Sequence, residues 1–135
     1  MASVQREIEI SVPAANAWDA LRDVGALHSR LVPVFVTDTK LEPGARLVTF
    51  GNGRVLREWI VDVDNTRRRV AWSVQDEPFT HHNASAQIFE IAPDRCRFVW
   101  IADVLPDELC GFVTGMIEQG LGVIQSTLEK DSRAG

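Results

Sequence analysis

One strand-like run, two short helical segments, a long succession of strand-like runs and a single closing apolar helix follow one another along the chain. That order constrains the fold more than any motif does. Successive strands joined by short turns pair into an antiparallel sheet. One long helix is then left to cover the sheet's apolar face. The expected class is therefore α+β. A helix packed tightly on the sheet gives a solid core, whereas a helix that stands off leaves a cavity.

The first strand is expected where Val4, Arg6, Ile8, Ile10 and Val12 alternate with Gln5, Glu7, Glu9 and Ser11. Pro13 suits a first helical turn, and Ala14 to Arg22 puts Ala17, Trp18 and Leu21 on one face. Asp23 is placed to cap a second short helix over Val24 to Leu31, which must end before Pro33. Strands are expected over Val34–Leu41, Ala45–Phe50 and Arg54–Asp64. The last two form a hairpin about Gly51-Asn52-Gly53. A strand through Val70, Trp72 and Val74 follows, and then a second hairpin from Thr80–Ile91 and Arg95–Leu105.

The closing helix is expected from Leu105-Pro106-Asp107-Glu108 to about Lys130. Four glycines, Gly111, Gly115, Gly120 and Gly122, lie within it. Each costs about 1 kcal/mol relative to alanine in a helix interior. Either they allow close packing on a neighbouring element, or their missing side chains leave room for a ligand.

A chain of 135 residues is read as one domain, 1–135, large enough for a real core. The 45% hydrophobic and 24% charged composition suits a soluble protein, and the net charge of −5 argues against a nucleic-acid partner. No apolar run reaches membrane-spanning length, so membrane insertion is not expected. Cys96 and Cys110 form no metal or redox motif and read as reduced thiols of a cytoplasmic protein. A homodimer is compatible with the sequence but is not encoded visibly. No cofactor is expected.

The sequence has no nucleophile elbow, phosphate-binding glycine loop or His-Glu-x-x-His motif. His81 and His82 are adjacent on a strand and point to opposite faces, so they do not chelate one metal together. No metal site is expected. Along Thr80–Ile91, Ala84, Ala86 and Ile88 share one face, and His81, Asn83, Ser85 and Gln87 share the other. The simple reading turns the alanines inward; the alternative turns the polar face into a wet or ligand-filled cavity. Glu58 poses the same question. Val55, Trp59, Val61 and Val63 make the more apolar face of its strand, so a count of apolar residues turns Glu58 outward. Facing an apolar cavity, it would be a usable acid or base. Trp72 and Trp100 suit either core or cavity wall.

The ordered set Ile10-Ser11-Val12-Pro13-Ala14 to Trp18, Leu27 to Val34, Gly44-Ala45-Arg46, Gly51-Asn52-Gly53, Arg57-Glu58, Asp64, Arg69 to Trp72, His82-Asn83-Ala84-Ser85, Trp100 and Leu105-Pro106 resembles the SRPBCC (START-like, helix-grip) superfamily. Within it, the chain is similar to the polyketide cyclase/dehydrase and lipid-transport group. The resemblance implies a seven-stranded antiparallel sheet wrapped around the long C-terminal helix, with two short helices after the first strand and a cavity between helix and sheet. It also implies that Glu58 points into that cavity, with Asn83 and Ser85 turned inward beside it. The function implied is binding or transport of a small hydrophobic ligand, polyketide-, sterol- or lipid-like. Walls would come from Trp72, Trp100, Phe112 and Met116, and polar contacts from Glu58, His81, Asn83 and Ser85. A polyketide cyclase or dehydratase with Glu58 or His81 as catalytic base is the alternative, although the chain has no tyrosine to act as a phenolic acid. A third reading is an interaction module of the chaperone-activator type.

Overall fold

The computed structural model describes residues 2–134, with side chains described for 2–131. Strand β1 (Ala2–Ile10) leads into helix α1 (Ala14–Arg22), then a 3-10 turn (Val24–Ala26) and a π-helical turn (Leu27–Leu31). Six strands follow: β2 (Val36–Glu42), β3 (Ala45–Phe50), β4 (Val55–Asp64), β5 (Arg69–Ser73), β6 (His81–Ala92) and β7 (Arg95–Leu105). A 3-10 turn (Asp107–Leu109) introduces the long helix α2 (Cys110–Ala134). The expected element order holds. The second short helix is two irregular turns, and Asp107 and Glu108 sit ahead of α2 rather than within its first turn.

The seven strands form one antiparallel sheet in the order β1-β7-β6-β5-β4-β3-β2. Each neighbour from β2 to β7 is also a sequence neighbour, as short turns demand. Strand β1 closes the far side by pairing with β7 over its whole length, Ala2 opposite Val104 and Ile10 opposite Cys96. This is the helix-grip arrangement, with α2 held in the concave face.

The two halves of α2 are held differently. Toward its C-terminus, Leu121 and Leu128 are buried with Ile10, Val12 and Trp18 in the hydrophobic core. Polar clips reinforce that end: Ser11 N–H donates to Glu129 Oε2 (3.0 Å) and Gln125 Nε2 donates to the Glu9 carbonyl (3.0 Å). A Cβ on Gly120 would sit 2.8 Å from the Trp100 ring, so close packing explains that glycine. Gly111 and Gly115, nearer the N-terminus, have open space where a side chain would go. Close packing thus accounts for Gly120, whereas Gly111, Gly115 and Gly122 have no neighbour where a Cβ would stand.

Sheet register also settles which side of β6 faces α2. His82, Ala84, Ala86 and Ile88 are buried on the concave side. Ala84 lies opposite Trp72 of β5, and Ala86 lies opposite Trp100 of β7. The small alanines leave depth into which the two indoles lean, with ring centroids 6.1 Å apart at 60°.

Candidate functional site

A cavity of about 730 Å³ opens beneath the N-terminal half of α2. Its walls come from every layer of the fold: Leu31 from the π-helical turn, Trp72 and Trp100 from the sheet, and Met116 and Ile117 from the helix. The mouth lies where Val34, the β3–β4 turn (Gly51, Asn52, Arg54) and the Gly111–Phe112–Gly115 surface of α2 come together. Gly51 is needed there because a Cβ would come within 2.7 Å of the Val34 carbonyl oxygen. The Gly51 N–H donates to the Phe35 carbonyl at 3.0 Å, which ties the loop to the hairpin.

Three buried polar side chains line the cavity: Arg46, Glu58 and His82. Strands β3 and β4 place Arg46 directly opposite Glu58. Arg46 Nε donates to Glu58 Oε1 at 2.8 Å, with the two side chains only 4% and 11% exposed. Arg46 Nη1 donates to the Val24 carbonyl (3.2 Å), and the guanidinium carbon lies 5.6 Å from the Trp72 ring centroid. A buried ion pair is tolerable only when further hydrogen bonds satisfy its groups. Here a backbone carbonyl and an aromatic face take part of that role.

His82 is held from behind. The Val74 N–H donates to its Nδ1 at 3.1 Å, and Phe79 packs against the ring at 4.9 Å between centroids. An Nδ1 that accepts a hydrogen bond is unprotonated, so the neutral imidazole carries its proton on Nε2. Burial pushes the imidazole pKa down from 6.5 to about 4, with the neighbouring His81 adding to the effect.

Glu58 faces the cavity, as the resemblance implied and against the apolar count. Leu56, Glu58 and Ile60 take the concave side of β4, and Val55 and Trp59 are exposed on the outer side; a bulge between Ile60 and Asp62 then brings Val63 opposite the buried Val70. The count fails because that part of the concave face borders a cavity and an arginine rather than packed hydrocarbon. Trp72, Trp100, Phe112 and Met116 all line the cavity, Phe112 at its exposed mouth. Asn83, Ser85 and His81 do not. The register that buries His82 and Ala84 turns these three to the outer face, correcting the inward placement. Asn83 pairs with Asp103 across the ladder, His81 is exposed, and Ser85 borders a shallow outer hollow of about 310 Å³ with Glu7 and Arg97.

Arg46 and His82 are cavity residues that the sequence reading did not select. A hairpin centred on Asn52 pairs residues symmetrically about it, which puts Arg46 across from Glu58. His82 shares a face with the alanines that the simple reading turned inward. His28 lies outside the cavity and bonds Thr39 through Nδ1 (3.0 Å). Among the described residues no group of three His, Cys, Asp or Glu side chains is placed to hold a metal. No described helix is long and apolar enough to cross a membrane.

Solved structures share this architecture. An uncharacterised protein from Bacillus thuringiensis superposes with a TM-score of 0.85 at 18% identity, covering 94% of this chain and 98% of its own. A START superfamily protein from Mycobacterium smegmatis gives 0.71 at 15% identity, covering 96% and 95%. The Zhui aromatase/cyclase from Streptomyces sp. R1128 gives 0.72 at 17% identity, covering 98% and 96%. At these identities the likeness establishes the fold. No curated protein matches the chain. The family model described as polyketide cyclase / dehydrase and lipid transport matches residues 1–129, so the chain belongs to that family.

Proposed function

We propose that this protein binds a small, mostly apolar molecule in the cavity under α2. One observation carries the reading: a cavity of about 730 Å³, walled largely by hydrocarbon and indole, on which three buried polar side chains converge. That is the usual build of a small-molecule site, in which apolar area supplies affinity and a few fixed polar groups supply orientation. Trp72, Trp100, Phe112 and Met116 form walls, and Glu58 is joined by Arg46 and His82 as the polar end. Native mass spectrometry of protein purified from its expression host tests this. Retention of a small hydrophobic adduct, lost on organic extraction, is expected. A protein that retains nothing and takes up no hydrophobic probe would contradict it.

An enzymatic reading of the cyclase or dehydratase type has specific support in Glu58, a carboxylate inside an apolar cavity where proton transfer is worth about 10²–10⁴-fold in rate. It drops His81, which faces away. Glu58→Gln would then remove turnover and keep ligand binding. The interaction-module reading requires a filled interior, and the cavity argues against it. The feature it would use is the outer face of β4, where Val55 and Trp59 are exposed.

A further inference from the structure

The polar end of the cavity has a distinctive charge balance. Arg46 and Glu58 cancel each other, and His82 is held neutral by the Val74 N–H. The ion pair uses one nitrogen of Arg46 and one oxygen of Glu58, and Val24 takes a second nitrogen. None of the hydrogen bonds of the described residues engages Glu58 Oε2, Arg46 Nη2 or His82 Nε2. Yet among the described residues no sealed side-chain nitrogen or oxygen lacks a partner. These three atoms therefore border accessible space, and the space these residues line is the cavity.

From this geometry we infer that the cavity selects an uncharged, hydroxyl-bearing ligand and rejects both its carboxylate and its ammonium analogues. This rests on the ligand-binding reading above and specifies its chemistry. A neutral hydroxyl can donate to Glu58 Oε2 and accept from either His82 Nε2–H or Arg46 Nη2, so the carboxylate and one of the two donors gain a partner. A carboxylate gains the same donors but is repelled by Glu58 and loses its hydration to a site of zero net charge. An ammonium meets the mirror problem at Arg46. Arg54 at the mouth does not rescue an anion, because it is solvent-exposed and donates to the Glu77 carbonyl (3.1 Å), and exposed pairs contribute little.

The test uses three probes with one chain length, decanol, decanoate and decylammonium, displacing Nile red from the full-length protein at pH 7.5. Both charged probes should bind at least tenfold more weakly than decanol. Glu58→Gln, which leaves Arg46 uncompensated, should narrow the decanol–decanoate gap and leave decylammonium weak. Should that variant fail to fold in a thermal melt, the wild-type comparison stands alone as the decision. Either charged probe binding within tenfold of decanol would overturn the inference while leaving the cavity as a binding site. A protein that binds neither Nile red nor any of the three probes would overturn the binding reading itself.

Discussion

Arg46 and Glu58 face each other across the β3–β4 ladder and form a 2.8 Å ion pair inside a largely apolar cavity. Such a pair is costly to break and cheap to replace as a unit. Glu58→Ala, which leaves a buried guanidinium unpaired, should cost about 3–5 kcal/mol of stability. The joint change Arg46→Met with Glu58→Leu should cost less than either single alanine substitution. Urea unfolding of the two single variants and the double variant measures the coupling. Simple additivity would show that the two side chains do not act as a pair.

His82 makes stability depend on pH in one direction. Its folded value of about 4 lies below the 6.5 of an exposed imidazole, so as the pH falls the unfolded chain takes up the proton first. Stability is intact above pH 6.5, declines from there to about pH 4, and levels off below. The total is on the order of 3 kcal/mol, from about 1.4 kcal/mol per pKa unit. His82→Gln retains an acceptor for the Val74 N–H and should remove this share of the decline. Unfolding midpoints at pH 7.5 and 5.0 for both proteins provide the comparison, and identical pH slopes would rule the effect out.

The glycines of the mouth should behave oppositely. Gly115→Leu places a side chain in open space and gains helix propensity, so stability should rise by up to about 1 kcal/mol while hydrophobic-probe binding falls. Gly51→Ala meets the backbone oxygen of Val34, which does not move cheaply, and should lose about 1–3 kcal/mol. Thermal melts of the two variants decide, and a destabilised Gly115→Leu would mean that the helix does not stand off there.

Asn83→Ala and His81→Ala lie on the outer face and should leave ligand affinity within twofold of wild type. A tenfold loss in either would restore the opposite register of β6.

Much of the fold was legible from periodicity and turns. The alternation of β1, the Gly51-Asn52-Gly53 hairpin and the apolar face of α2 each encode an element through local chemistry. The cavity was harder to read, because its lining breaks the rule that periodicity depends on. A concave face that borders empty space tolerates Glu58 and Arg46 where a packed core would not, so counting apolar residues on β4 points the wrong way. On β6 the inward face is marked by small alanines rather than large hydrophobes, and the polar outer face looks like the more interesting one. Hairpin symmetry, which pairs Arg46 with Glu58, carried the information that composition did not. The outer face of β4 exposes Val55 and Trp59 for no reason evident in the fold.

The four tryptophans offer the most direct test of the central claim. Trp72 and Trp100 line the cavity, Trp59 lies on the outer face, and the Trp18 indole N–H is engaged by Asn65 at 3.1 Å. In a two-dimensional ¹H–¹⁵N spectrum, titration with decanol should shift the indole signals of Trp72 and Trp100 and leave those of Trp59 and Trp18 in place. A shift confined to Trp59, or no shift at all at saturating decanol, would contradict an internal binding site.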